Sequence, residues 1–214
     1  WCGFFVQAPW RTHVNYNDPR LIEKYYSQIK EWFKYVDKYT VDGLLKRWPD
    51  TKYRDWYLGD WLAPMGVDAG NQASVDLVSN CFISECLGTM YKTAITLGKR
   101  EEAEEFAMRR EKLNKLIHQT FYHEDEGIYS TGSQLDMCYP MLVGVVPDSL
   151  YNKVKENVVA MTEEKYKGHI AVGLVGVPIL TEWAVRNKQV DFFYQMMKKR
   201  DYPGYLYMID HGAT

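Results

Sequence analysis

At 214 residues, the chain makes one domain or a large piece of one, long enough to bury about 70% of its unfolded surface without disulfide or metal staples. Its 46% hydrophobic and 25% charged residues exclude disordered, collagen-like and disulfide-scaffold chains. Twenty-six basic against 28 acidic residues leave a net charge of −2, without the basic excess that grips a phosphate backbone, so no nucleic-acid partner is expected.

The chain begins Trp1-Cys2-Gly3-Phe4-Phe5 without Met and ends His211-Gly212-Ala213-Thr214, and both ends read as cut from something longer. No signal peptide is visible, which leaves the compartment open, and no apolar run approaches the ~18 residues of a membrane span. Asp18-Pro19 opens the clearest helix, with Ile22, Tyr25, Ile29, Trp32, Phe33 and Val36 at three- and four-residue spacing, running to about Tyr39. A loop rich in Gly, Pro, Asp and Trp follows from Val41 to about Asn71, longer than a compact domain carries without a functional reason. Gln72–Leu97 reads as an apolar helix stopped by Gly98, and a far more charged helix runs from Arg100 to about Gln119.

That rhythm repeats. A short helix near Gln134–Val143 breaks at Pro147, Asp148 caps another to about Met161, and Gly173–Arg186 is apolar with a charged partner at Asp191–Lys199. Apolar and charged helices in succession are αα-hairpins, whose apolar members from Gln72, Gln134 and Gly173 should face inward. Gly127-Ile128-Tyr129-Ser130 and Tyr205-Leu206-Tyr207-Met208-Ile209 are at most short strands. The fold class is all-α, with long connections at one end, where function tends to sit.

Aromatic content is high, with 7 Trp, 17 Tyr and 8 Phe. Such rings either stack on the C–H faces of sugars or fill a large helical core, and composition alone favours the core. The densest candidate stretch is Arg54-Asp55-Trp56-Tyr57-Leu58-Gly59-Asp60-Trp61-Leu62-Ala63-Pro64, where Asp60 could accept hydroxyls and Trp61 could stack on a ring or plug the core. Trp10 and Tyr16 flank a second polar loop, Arg11 to Asn15, just before the first helix. His169 and His211 could each bind a hydroxyl or be satisfied structural imidazoles, and spacing favours the latter. His123-Glu124-Asp125-Glu126-Gly127 lacks the ligand alternation of a calcium loop and reads as solvated. Cys2, Cys81, Cys86 and Cys138 show no zinc spacing and read as buried free thiols. No nucleophile elbow, phosphate loop or dinucleotide fingerprint occurs, so neither cofactor nor metal is expected.

Four blocks resemble, in order and approximate spacing, the catalytic domain of the α-L-rhamnosidase family, glycoside hydrolase family 78. They are Tyr57-Leu58-Gly59-Asp60-Trp61-Leu62; Gly168-His169 with Gly173-Leu174 and Gly176; Tyr202-Pro203 with Tyr207-Met208-Ile209; and Gly212-Ala213-Thr214. The stretch from Pro9-Trp10 to Tyr26 is similar to the family's approach to a mid-barrel helix, so the resemblance spans nearly the whole chain. It implies an (α/α)6 toroid, present as an incomplete central portion over residues 1–214, and hydrolysis of terminal α-L-rhamnose with inversion by two carboxylates. The family's acid lies in an Arg- and acid-rich motif before the Gly-Asp-Trp block, and its base is a Glu a few residues after Gly-Ala-Thr. By resemblance, both catalytic residues fall outside this chain. What carries over is a sugar-binding wall, with Trp61 as the stacking ring, Trp10 and Tyr16 as pocket aromatics, and a rhamnose-containing glycan or glycoside as partner. The rivals are another six-hairpin glycosidase acting on a different sugar, and a non-catalytic helical interaction scaffold.

Overall fold

The computed structural model describes residues 3–48 and 57–213, and among them helices alternate between deeply buried and half-solvated. The elements in chain order are α1 (Phe4–Tyr16), α2 (Arg20–Asp37), β1 (Thr40–Val41), β2 (Leu44–Leu45), α3 (Gln72–Thr96), α4 (Arg100–Phe121), β3 (Tyr122–His123), β4 (Ile128–Tyr129), α5 (Gln134–Leu142), α6 (Asp148–Glu164), α7 (Gly176–Arg186), α8 (Val190–Met197) and α9 (Tyr205–Asp210). Helices α1, α3, α5 and α7 pack side by side in that order, and each also packs against the helix that follows it, except that α5 is backed by α6 and α7 by α8 more lightly. The result is a row of αα-hairpins with one inner and one outer helix each.

Burial follows the charge pattern. Helix α3 buries fifteen of its 25 residues and its charged partner α4 only five of 22, so α3 is the inner member. Eight of nine residues are buried in α5 against three of 17 in α6, and four of 11 in α7 against one of eight in α8. The outer helices present single stripes: Ile22, Tyr26, Ile29, Phe33 and Val36 are the buried residues of α2, one face of a 3.6-residue period. Outer and inner layers also cap one another. At the end of α5, Arg110 and Asn114 of α4 donate to the carbonyl of Val143 at 2.7 and 2.9 Å, and Asn114 reaches Gly144 O at 3.1 Å, satisfying acceptors that a helix end leaves open.

The opposite end of the row, where α3, α5 and α7 begin, is tied together by buried polar side chains. Asn80 of α3 grips the main chain of Leu45, accepting from its N–H at 2.8 Å and donating to its carbonyl at 3.0 Å. Gln134 at the start of α5 donates to Thr162 Oγ1 and His169 O, both at 3.0 Å, and accepts from Ala171 N at 2.8 Å. Asp136, fully buried, accepts from Ser74 Oγ of α3 at 2.7 Å and from Thr131 Oγ1 at 2.6 Å. Its own N–H bonds Ser133 Oγ at 3.2 Å, the N-cap interaction that starts α5.

Four elements depart from the sequence reading. Arg11 to Asn15 is not a loop but the second half of α1, a helix with Pro9 inside it and only Val6, Gln7 and Pro9 buried, so it carries no apolar stripe to read. The long loop contains the β1–β2 hairpin, whose Asp42-Gly43 turn has φ of 53° and 83°, the left-handed pair a two-residue hairpin needs. Tyr205–Asp210 is a helix rather than a strand, because no strand among the described residues offers it a ladder and it closes its own i→i+4 bonds, such as Met208 N to Gly204 O at 3.3 Å. Gly173 to Val175 precede α7 instead of belonging to it, and Pro147 rather than Asp148 occupies the cap of α6. Ile128–Tyr129 does form a short strand, paired with Tyr122–His123. Cys81 and Cys138 are buried free thiols, Cys86 is buried with its Sγ accepting from Gln7 Nε2 at 3.6 Å, and Cys2 lies outside the described residues.

Two outcomes follow from this packing. Leu87→Ala in α3, where the side chain is fully buried, should cost about 2–5 kcal/mol, whereas Met108→Ala in α4, where it is 63% exposed, should stay within about 0.5 kcal/mol, as read by chemical denaturation. Burial holds the Asp136 carboxyl above its ordinary value of 3.8, with the Ser74 and Thr131 hydrogen bonds opposing the rise. A carboxyl raised on folding costs stability as pH climbs from 3.8 through the folded value, so the wild type should lose ground to Asp136→Asn over that window in paired melting curves.

Candidate functional site

At the end where α3 and α7 begin lies a cleft of about 990 Å³. Its floor is apolar, built from Val78, Phe82 and Ile83 of α3 with Val175 and Pro178 around the start of α7. One wall is a run of aromatic rings. Tyr35 meets Tyr39 at 5.1 Å between centroids, Tyr39 meets Trp48 at 5.3 Å, and Trp48 meets Tyr57 at 5.6 Å, each edge to face. That geometry suits the quadrupoles of neighbouring rings and leaves flat apolar faces for a ligand's C–H groups. Polar tips sit among these faces. Tyr57 OH donates to Leu45 O at 3.0 Å, and Tyr139 OH donates to Glu85 Oε2 at 2.7 Å. Burial pushes both phenols well above their ordinary value, with the Asp76 and Glu85 charges adding to it, so both are hydrogen-bond donors and not acids at neutral pH. Among the described lining residues none is a carboxylate or an imidazole, and the rings present apolar faces suited to a ligand ring.

Beside the cleft, the loop carrying Tyr57, Leu58, Asp60 and Trp61 is laid against the segment leading into α7. Asp60 is 5% exposed, and its carboxylate accepts from four main-chain N–H groups. These are Gly173 at 2.6 Å, Trp61 and Gly176 at 3.0 Å, and Val175 at 3.1 Å. Trp61 returns the contact, its carbonyl accepting from Leu174 N at 2.8 Å. The approach is too close for a side chain on the facing strand: a Cβ on Gly173 would stand 1.8 Å from Trp61 O. Trp61 is half-buried, and Leu62 after it turns through a φ of 59° with its side chain 82% exposed.

The six residues nominated from sequence are distributed unevenly. Asp60 and Trp61 stand together at the junction just described, and none of the six lines the cleft among its described residues. Trp10 is half-buried on α1 with its ring 5.5 Å from that of His13, and Tyr16 is 77% exposed at the far end of the same helix. Phe4 at the start of α1 does line the cleft, which puts Tyr16 about 18 Å along the helix axis from it at 1.5 Å per residue. His169 is 2% exposed; its Nδ1 donates to Tyr166 O at 2.9 Å, and its Nε2 lies 3.1 Å from Asp201 Oδ1. The Asp201 carboxyl is held low, first by its own backbone N–H and then by the imidazole. His211 is exposed, with Nδ1 2.8 Å from Tyr207 O and its ring stacked on Tyr207 at 4.0 Å. Arg54, Asp55 and Trp56, the first part of the candidate stretch, lie outside the described residues.

Sequence reasoning did not single out Asn80, Gln134 or Asp136, although they shape this end of the row. Only Asp136 left a local signal, the Ser133-x-x-Asp136 spacing of a helix start. The acidic turn at His123–Gly127 joins β3 to β4 in solvent, and no group of three metal-ligating side chains occurs among the described residues. No helix described is long and apolar enough to cross a membrane.

Comparison with known proteins agrees with this architecture. Two similar sequences are α-L-rhamnosidases from Alteromonas sp. (strain LOR), 24% identical, and Streptomyces avermitilis, 25% identical, each matched over 100% of this chain. The chain spans only 23% and 19% of their respective lengths. Among solved structures, the α-L-rhamnosidase of Dictyoglumus thermophilum superposes with a TM-score of 0.87 over 100% of this chain and 23% of its own, at 21% identity. That of Aspergillus terreus gives 0.83 over 99% and 24%, at 22% identity. These likenesses establish the six-hairpin helical fold, of which this row of hairpins is an incomplete portion. The model of the bacterial α-L-rhamnosidase six-hairpin glycosidase domain matches residues 1–214, and the chain belongs to that family.

Proposed function

We propose that this chain is the sugar-binding sector of a glycoside hydrolase that removes terminal α-L-rhamnose with inversion, acting on a rhamnose-containing glycan or glycoside. The observation that carries the reading is the family match over the whole chain together with the place of Trp61, mounted at the cleft end of the inner helices on a loop that the structure holds rigidly. In an inverting mechanism a protonated carboxyl donates to the leaving oxygen while a carboxylate about 6.5–9.5 Å away activates water on the opposite face of the sugar. Neither group is assigned to this chain; the reading puts both in further parts of a longer protein, in keeping with relatives of which this chain spans 23% and 19%. The contribution of this sector is to hold the ring, with Trp61 as the stacking face and the aromatic cleft wall beside it available to the rest of the glycoside.

Three results test the proposal. In the longer protein, Trp61→Ala should lower kcat/KM on an aryl α-L-rhamnoside by about 5- to 150-fold, the equivalent of ~1–3 kcal/mol of lost stacking, with the melting temperature nearly unchanged. A sharp fall in melting temperature with activity intact would make Trp61 a packing residue instead. Proton NMR of the first-formed sugar should show the inverted β anomer, and retention would exclude this mechanism. The 214-residue chain by itself should show no turnover, since each missing proton transfer is worth roughly 10²- to 10⁴-fold.

A further inference from the structure

We infer that Asp60 is the positioning residue for Trp61, and that it sets the indole's place by solvating main-chain N–H groups of the opposing loop, not by binding sugar hydroxyls. The carboxylate is 5% exposed, and all four of its hydrogen bonds go to backbone donors. A buried carboxylate is tolerable only when donors replace its water, and here they do. Two of these donors, Val175 N and Gly176 N, belong to the N-cap and the first residue of α7, a helix whose own N-cap side chain makes no capping bond. Asp60 therefore supplies that cap from 115 residues away, with its charge at the positive end of the helix.

Trp61 is caught between the two loops. Its N–H bonds Asp60 Oδ1 and its carbonyl accepts from Leu174, so both polar atoms of its main chain are spoken for by the junction. Three glycines allow the loops to close on each other: a Cβ on Gly173 would meet Trp61 O at 1.8 Å, one on Gly66 would meet Ala171 O at 2.0 Å, and one on Gly176 would meet Asp60 Oδ2 at 2.7 Å. An Asn at position 60 has a single acceptor oxygen and would turn an amide N–H₂ toward backbone donors, so the neutral isostere cannot keep all four bonds.

The part of this inference that concerns sugar rests on the rhamnosidase reading; the clamp itself does not, and the experiment separates them. Amide hydrogen exchange on the wild-type protein comes first. The N–H groups of Gly173, Val175 and Gly176, which would exchange freely in an ordinary loop and helix start, should be protected by well over about tenfold, and Asp60→Asn should release them while α3 stays protected. Free exchange in the wild type would overturn the clamp, and this needs no variant to fold. The second measurement is a double-mutant cycle on L-rhamnose affinity in the longer protein with Trp61→Ala, Asp60→Asn and the pair. If Asp60 acts through Trp61, the double variant binds no worse than Trp61→Ala alone; losses that multiply would show Asp60 touching the sugar and overturn the inference. Gly173→Ala, which pushes the loops apart with the carboxylate intact, should reproduce the affinity loss, and wild-type affinity in that variant would equally count against it. An absence of rhamnose affinity in the wild type would sink the functional reading, while the exchange pattern would still decide the clamp.

Discussion

One buried charge organises the open end of this molecule. The Asp60 carboxylate lies almost entirely out of water, and it is stable there because four main-chain N–H groups stand where water would. Three of the four partners lie 113 to 116 residues away in the chain, so the carboxylate ties together two distant loops, joined also by the bond from Leu174 N to Trp61 O. From this contact follow the start of α7, the closeness of Gly173 to Trp61 and the orientation of the Trp61 backbone. Asn80 with Leu45 of β2 and Gln134 with Ala171 repeat the device at the neighbouring helices: a buried side chain satisfies backbone groups of a segment packed against an inner helix.

The same arrangement explains why long loops can surround an apolar, aromatic cleft in a helical domain. Backbone groups buried under a loop are costly unless paired, and the inner helices supply the pairs at their N-terminal ends. The cleft can then be lined with rings and aliphatic side chains, because polar demands are met behind it. Tyr57 shows the division within a single residue, its ring in the aromatic wall and its hydroxyl bonded to Leu45 O. At the other end of the row the requirement is simpler, and Arg110 and Asn114 of an outer helix close off the carbonyls of an inner one.

Much of the helical frame was legible in the residues. The pairs α3–α4 and α5–α6 announce themselves by an apolar helix followed by a charged one, and burial follows that order; in α7–α8 the first helix is again the more buried, although α8 holds a single charged residue. Helix α1 escaped because its buried residues form no stripe, Pro9 argues locally against a helix, and its stabilisation comes from contacts with α3, such as Thr89 Oγ1 to Gln7 Oε1 at 2.9 Å. The Tyr205–Ile209 run escaped for the opposite reason: its residues favour a strand, but a strand needs a partner and none adjoins it. The Asp42-Gly43 dipeptide carries a hairpin-turn signal in the residues themselves, but its two-residue strands are too short to show a period of two. Of the candidate site, the Asp60-Trp61 pair could be nominated from sequence as a functional stretch, yet the carboxylate's commitment to backbone donors could not, because no local spacing encodes a contact across 113 residues.

Sequence by itself determined the class of this protein: an all-α chain of hairpins, aromatic-rich, with long connections at one end and four blocks in the order of the rhamnosidase family. Those properties are local or compositional, so periodicity, turn chemistry and motif order are enough to reveal them. Tertiary structure alone decided which carboxylates are spent on holding the fold, which aromatics share a wall and which nominated residues stand together. Those are properties of distance and desolvation between segments far apart in the chain. A carboxylate's role depends on which donors reach it once water is gone, and that is settled only when the helices have packed.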